Sequence, residues 1–462
     1  MKLIICGAGI VGYHIAEYLA LQGHDVTIVD KSQSRIGELS ERLDVQAIIG
    51  HAAHPVHLQR AGVEEADFLI AVTRSDEVNI VACHVARTLF NVPVTIARLR
   101  SPGFLDYRDS VLFDAGGISV DHIVTPGLNA ARDIAEALRY PGVFDHFTMA
   151  NGRVTILGVE CTPDCPLINT PLKQLTVLFP DMHIRILSIL RGVDSKVFFP
   201  KGRDQILVGD EVYIAVDTAH VLRALDSFGL KHEEWDSTHR FVVCGGGHIG
   251  IALVQELVKK YKNATTAIIE QNKDVAQTAA ELLPNTLVVH GEATEAAILS
   301  EVNVAQAYAF VAVTGHDETN VFSCLMASRL GACRTISTIS NPRNASLVSG
   351  IGIETVMTRE IVISAVLPPL RQAWIEDARA LRDGFAEILE IQVHNECKLV
   401  GSTVQQANFP KGVILGSILH DDAVIIPEPA TEIHANDVII LLVSASIVRD
   451  VENLFAPGLT FF

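Results

Sequence analysis

The chain opens with KLIIC, an apolar run that stops at the glycine turn GAGIVG and passes into the amphipathic stretch YHIAEYLALQG. A second β-branched run, DVTIVD, follows at 25–30. The pattern predicts strand, tight turn, helix and strand in that order. Short β-branched runs then keep alternating with amphipathic stretches of roughly 10–15 residues, which is the βαβ signature of a parallel sheet covered by helices on both faces.

The pattern occurs twice. KLIICGAGIVGYHIAEYLALQGHDVTIVD (2–30) matches RFVVCGGGHIGIALVQELVKKYKNATTAIIE (240–270), AIIGHAAHPVHLQRAGVEEADFLIAVT (47–73) matches VVHGEATEAAILSEVNVAQAYAFVAVT (288–314), and IARLRSP (96–102) matches ISTISNP (336–342). The polar turn AVTRSDEVN (71–79) returns as AVTGHDETN (312–320). Each copy is followed by a smaller unit of short alternating strands, with VGDEVYIAV (208–216) set against ANDVIILLV (435–443). The predicted fold class is α/β: two Rossmann-like doubly wound parallel-sheet domains, each trailed by a small α+β domain. The expected boundaries are 1–122 for the first Rossmann-like unit (N1), with a crossover helix to about 142, and 143–232 for the first small domain (C1). The second Rossmann-like unit (N2) is expected at 239–358, with a crossover helix to about 384, and the second small domain (C2) at 385–462. The polar stretch KHEEWDSTH (231–239) marks the main boundary, and both connectors, 123–142 and 359–384, read as helical.

Composition narrows the class. With 462 residues, 49% of them hydrophobic, the chain can bury a core in each of several domains. A formal charge of −18 argues against nucleic acid or an anionic membrane surface as a direct partner. No apolar run approaches the ~20 residues of a membrane span, so direct membrane insertion is not expected. MKLIICGAG reads as a first strand and not as a signal peptide. Eight scattered cysteines suit a reducing cytosol.

Candidate chemistry gathers at the glycine turns. Gly7, Gly9 and Gly12, with Ile10 and Val11 between them, have the spacing of a dinucleotide loop, in which the first glycine turns, the second admits a pyrophosphate and the third lets helix and strand pack. The helix N-terminus adds free N–H donors and partial positive charge. Asp30 ends the second strand, where a carboxylate meets a ribose 2′-hydroxyl and would repel a 2′-phosphate, favouring NAD-type over NADP-type ligands. The second copy supplies Gly245, Gly247, His248, Ile249, Gly250 and Glu270. The competing reading is a Rossmann scaffold whose glycines serve packing alone. The Asp76/Glu77 and Asp317/Glu318 pairs read as helix-start charges, with Thr73 or Thr314 and the aspartate near the cap.

No catalytic residue is expected. The small units share no recurring acid or base: C1 holds Asp164, Arg185, Arg191, Lys201 and Arg203, and Arg191-Gly192 falls against His420-Asp421 in C2. No Ser-His-Asp order, HExxH or phosphate-loop lysine occurs. The triplet His51, His54 and His57 reads as a polar helix start and not as a metal site, and no metal is expected.

The duplicated glycine loop, the AVTxxDExN turn and the small β-rich unit after each resemble the potassium-conductance regulators of the RCK, or KTN, family. GHAAHP (50–55) and IARLRSP (96–102) point to its four-part cytosolic branch, the regulators of bacterial Trk potassium uptake. The resemblance covers the full length. It implies that the Rossmann-like units bind NAD(H), ATP or ADP, and that the chain is no enzyme. It further implies a homo-oligomeric gating ring beneath a TrkH-type membrane potassium-channel subunit, on the inner face of the plasma membrane. By position it assigns Gly7, Gly9 and Gly12 to phosphates, Asp30 to ribose, Ala52 and Thr73 to the adenosine border, and Arg98 to phosphates. The second half matches with Gly245, Gly247, Gly250, Glu270, Glu292, Ala293 and Thr314. Two departures stand out: Thr338 occupies the place of Arg98, and Gly127 stands where the family often has glutamate after Pro126. Unequal sites are therefore expected, with the phosphate charge kept in the first only. The alternatives are an NAD-dependent oxidoreductase of unknown substrate and an assembly module without ligand.

Overall fold

In a computed structural model, residues 1–105, 107, 112–113, 117–178, 184–192, 196–230, 239–372, 374–381 and 384–456 are described. Four sheets account for the strands among them.

The first is parallel. Its strands are β1 (Lys2–Cys6), β2 (Asp25–Asp30), β3 (Gln46–Ile49), β4 (Phe68–Ala71), β5 (Val94–Arg98) and β6 (His122–Val124), in the order β3-β2-β1-β4-β5-β6. The reversal of order falls between β1 and β4, which pair in register from Leu3↔Phe68 to Cys6↔Ala71. Chains leaving these two strands diverge to opposite sides of the sheet, opening a crevice at the carboxyl edge. The strands are near-continuous apolar runs because both faces are covered: Leu3, Ile5, Ile28, Leu69 and Ile70 are each 0–1% exposed.

The small unit after it is antiparallel: β7 (Val143–Met149), β8 (Val154–Glu160), β9 (Ile184–Arg191), β10 (Lys196–Phe198) and β11 (Glu211–Asp217), ordered β10-β9-β11-β8-β7. The second half repeats both plans. β12 (Arg240–Cys244), β13 (Thr265–Glu270), β14 (Leu287–His290), β15 (Ala309–Ala312), β16 (Arg334–Ile339) and β17 (Glu354–Met357) run β14-β13-β12-β15-β16-β17. β18 (Ile375–Ala380), β19 (Ala386–Gln392), β20 (Val413–His420), β21 (Ala423–Ile425) and β22 (Val438–Ser444) run β18-β19-β22-β20-β21. The Gly-Asp and Asn-Asp turns before the last long strand are formed, with Gly209 and Asn436 at φ +81° and +68°.

One connector differs from expectation. Residues 359–384 were expected to be helical throughout, but the helix Thr358–Leu370 ends just after Pro368 and Pro369, and Ile375–Ala380 forms β18. Adjacent prolines remove two donors from the helical hydrogen-bond ladder and crowd the carbonyls of the turn before them, which favours ending the helix there. A bulge between Ile375 and Asp377 interrupts the strand's alternation and hides it from a period-two reading. The expected boundary stretch 231–239 lies outside the described residues except for His239.

The compact units do not follow the halves of the sequence. One comprises Met1–Asn129 together with Arg359–Leu370; the other comprises Ala130–Thr358 and Arg371–Phe462. In the first unit Arg359 Nη2 donates to Glu17 Oε2 at 3.1 Å, on the helix that follows the first glycine loop. In the second unit the end of the first connector docks on the second parallel sheet's body. There Arg334 donates to the carbonyls of Leu138 (2.7 Å) and Ala137 (3.2 Å), and Lys260 pairs with Glu136. The two small sheets, both in this second unit, share one core built from Phe147, Ile156, Leu187 and Tyr213 with Ile388, Ile440 and Leu442. Gly416 lets them approach, since a Cβ there would sit 3.1 Å from Leu187 Cδ2. Domains this small gain a full hydrophobic layer by pooling their faces.

Candidate functional site

The glycine loops answer whether their glycines serve packing alone. At Gly7, φ is +113°, and a Cβ would meet the Thr73 backbone at 3.1 Å. At Gly12, a Cβ would lie 1.8 Å from Gly7 O. Packing therefore requires the first and third glycines. Gly9 is different: its backbone is extended (φ −78°, ψ −176°) and a Cβ there would meet nothing within 4 Å. The second copy repeats all three results, with Gly245 at φ +111°, Gly250 1.9 Å from Gly245 O, and open space at Gly247. Nothing in the protein demands the middle glycine in either half. Both helices that follow, Ile10–Leu21 and His248–Lys260, start without a side-chain cap and without an acid in the first turn. Uncapped N–H groups beside open space make a place for an anion.

Asp30 and Glu270 brace the loops. Asp30 accepts from Ala8 N (2.7 Å) and Ser32 N (2.8 Å), and Glu270 from Gly246 N (2.7 Å) and Asn272 N (2.8 Å). Each carboxylate thereby ties the end of β2 or β13 to the glycine turn, and keeps further lone pairs for a hydroxyl donor.

The AVTxxDExN turn is a lock and not primarily a helix cap. Asn79 Oδ1 accepts from Thr73 N (2.8 Å) and Thr73 Oγ1 (2.7 Å), while its Nδ2 donates to Thr73 O (3.3 Å) and Arg98 O (2.8 Å). The buried amide thus joins the ends of β4 and β5. Asn320 repeats this with Thr314 and with Thr338 O. Asp76 accepts from Arg100 N and Ser101 N, both at 2.8 Å, and Asp317 from Ser340 N and Asn341 N. The acids do open their helices as expected, Asp76 and Glu77 following the Ser75 cap, which accepts from Val78 N, and Asp317 and Glu318 following His316; beyond that, Asp76 holds the backbone after β5. Sequence reasoning missed the asparagine's role, although its presence in both copies was the available signal.

Charge separates the two crevices. Arg98 ends β5, next to β4; its Nε is buried without a hydrogen-bond partner, and burial, then Arg100, lowers its pKa to about 10. A sequestered guanidinium with no bonded anion invites one. At the matching register Thr338 is 3% exposed, donates to Ala312 O (3.1 Å) and accepts from Asn320 Nδ2 (3.0 Å). Its polar group is spent inside the fold.

The remaining expected positions are dispersed around this edge. Ala52 and Ala293 are each 5% exposed after β3 and β14, and Glu292 is exposed, its Oε2 3.5 Å from Thr294 Oγ1. Ile10 projects into solvent at 61% exposure. Val11, His248 and Ile249 lie in the opening turns of the two glycine-loop helices, and Gly127 lies in the helix Pro126–Ala137. His54 precedes the helix Pro55–Arg60, whose first residue is proline, and His57 Nδ1 accepts from His51 N at 2.9 Å.

The TrkA-N domain model matches residues 3–126 and 241–359, and the TrkA-C domain model matches 156–229 and 388–456. The chain belongs to the TrkA family. A Trk system potassium uptake protein TrkA from Azorhizobium caulinodans is 38% identical over 463 residues, covering 100% of both chains. One from Vibrio alginolyticus is 35% identical and covers 99% of each. These names describe a protein of an uptake system and no catalytic activity. Among solved structures, the GsuK RCK domain superposes with a TM-score of 0.62 at 16% identity, over 98% of this chain and 94% of that one. The GsuK channel bound to NAD gives 0.61 at 15% identity, over 98% and 78%. At such identity the likeness shows a shared fold.

Proposed function

We propose that this chain is the nucleotide-sensing regulatory subunit of a Trk potassium uptake system. Its two glycine-loop crevices bind NAD(H), with ATP or ADP as further ligands. Occupancy shifts a homo-oligomeric ring that gates a TrkH-type membrane subunit at the inner face of the plasma membrane. The carrying observation is the pair of middle glycines, Gly9 and Gly247, facing open space beside uncapped helix starts with no packing reason to be glycine. Further support comes from the RCK-domain channel of matching fold, whose structures are described as bound to NAD and to ADP.

In this reading Gly7, Gly9, Ile10, Val11, Gly12 and Arg98 hold phosphates in the first site, Asp30 holds the ribose, and Ala52 and Thr73 border the adenosine. Gly245, Gly247, His248, Ile249, Gly250, Glu270, Glu292, Ala293 and Thr314 form the second site, which has no arginine at the β16 position. The proposed division into N1, C1, N2 and C2 follows the four sheets, with β18 joined to C2. Among the described residues no helix is long and apolar enough to cross a membrane, so a pore must come from a partner. Gating then requires a nucleotide with different affinity for two ring shapes.

The test is a pull-down of the full-length chain with the membrane subunit, with and without NADH and ATP, followed by potassium flux in vesicles. Association with nucleotide-dependent flux is expected. No association under any nucleotide condition overturns the proposal.

A further inference from the structure

The two small domains carry an equivalent buried aspartate with different neighbours. In C1, Asp210 is 1% exposed and precedes β11, and it accepts a two-pronged contact from Arg191, through Nε and Nη2, each at 2.7 Å. Leu207 N also donates to it at 2.8 Å. In C2 the same turn puts Asp437, likewise 1% exposed, before β22, with His434 N donating at 2.8 Å. The arginine position at the end of the partner strand is now His420, whose Nδ1 lies 2.6 Å from Asp437 Oδ1. Leu207 is replaced by His434, whose Nδ1 lies 3.9 Å from Asp437 Oδ2. Two changes at one spot turn a permanent ion pair into a set of donors.

The set is compact. The imidazole centroids of His420 and His434 are 4.6 Å apart, and one ligand atom from each of His420, His434 and Asp437 fits within 4.8 Å of the others. Among the described residues it is the sole cluster of this kind. Both histidines are partly exposed, at 40% and 49% of their side chains, so an ion has access while the carboxylate stays buried. Asp421 and Glu432 stand at the mouth, 3.9 Å from His420 Nε2 and 3.7 Å from His434 Nε2, and add negative potential.

We propose that His420, His434 and Asp437 form a binding site for a zinc-class divalent cation in the second small domain. Two imidazole nitrogens and one carboxylate oxygen suit a borderline-soft ion with an open fourth position, whereas magnesium and calcium favour all-oxygen shells. The ion takes the place of the hydrogen bond between His420 and Asp437, and supplies the buried carboxylate with the positive charge that Arg191 gives its counterpart. His420 ends β20 and Asp437 precedes its paired strand β22, with His434 in the turn between β21 and β22.

The experiment uses the full-length chain, stripped with chelator and titrated with Zn²⁺ by calorimetry, with Co²⁺ absorption as a probe of ligand type. The expected result is one ion bound through nitrogen and oxygen donors, with affinity reduced at least ~100-fold in His434→Leu and in His420→Arg. Both variants install what the first domain already carries, so folding, checked by circular dichroism and by an unchanged NADH-dependent melting shift, is expected to survive. Unchanged Zn²⁺ affinity in either variant, loss of binding in His54→Ala but in neither of these, or no binding to the unsubstituted chain overturns the proposal.

Discussion

Asn79 and Asn320 share four bonds, to the threonine N, Oγ1 and O and to the backbone carbonyl of the next strand, with Asn320 adding one to Thr338 Oγ1; the side chains of Arg98 and Thr338, one strand away, share nothing. The contacts that hold the crevice open are therefore duplicated, and the charge that would meet a ligand is not. The small domains repeat the lesson: Asp210 and Asp437 pin the same turn, but one faces an arginine and the other two histidines. What the chain must do to fold is kept twice, and what it can bind has diverged.

The widest separation of these roles lies within a single glycine loop. Gly12→Ala and Gly250→Ala place a methyl under 2 Å from a carbonyl that cannot rotate away, and are expected to destabilise their units by at least ~3 kcal/mol, read by denaturant unfolding. Gly9→Ala and Gly247→Ala, which change an N-cap but meet no atom, are expected to cost the unliganded chain no more than about 1 kcal/mol and to reduce the shift produced by NADH. Equal melting losses at all four positions would mean that the middle glycines are structural after all.

Next in size is the strand lock. Asn79→Ala and Asn320→Ala each strand buried partners and are expected to lower stability by roughly 2–3 kcal/mol apiece, by the same amount in both halves. A large inequality would show that the locks are not equivalent.

Arg98→Ala should weaken ATP or NADH at the first site by about 10–100-fold, the worth of a charge-assisted contact, in calorimetry on the full-length chain. It should leave the second site untouched and the unliganded chain no less stable, since a partly buried guanidinium whose buried Nε is unbonded is removed. Equal weakening of both sites would break the assignment.

An effect that vanishes at neutral pH sharpens the comparison between the small sheets. His146 on β7 is buried with Nδ1 unbonded, and burial lowers its pKa to about 4; at the matching register β18 carries Ala378. The unfolded chain binds this proton more readily, so the stability it withholds is present above pH 6.5 and lost as pH falls toward 4. The slope approaches ~1.4 kcal/mol per pH unit in that window. His146→Ala should flatten it, as measured by urea midpoints from pH 4 to 7.

Much of this was legible in the residues. GAGIVG and GGGHIG announced strand, turn and helix, and the acids at 30 and 270 fell at the strand ends expected of them. Thr73 and Asn79 were visible as a recurring pair, but their bonds depend on β4 and β5 being neighbours, which spacing does not encode. The unbonded state of Arg98 is a property of what surrounds it in space. β18 was hidden because its bulge and the prolines before it erase periodicity. The shared core of the small sheets was invisible for a different reason: an apolar strand face reads alike whether it covers a helix or another sheet.

The segment Arg359–Leu370, nearly all of the helix Thr358–Leu370, completes the unit built on the first 129 residues, although it follows the second glycine loop in the chain. A duplication normally leaves two modules that one cut can separate. Here a break near residue 235 would deprive the first module of part of its own body, and a fragment ending there would be an unfinished domain. The body of the first copy thus draws on chain that follows the second, which keeps the two sites in one molecule while their chemistry differs.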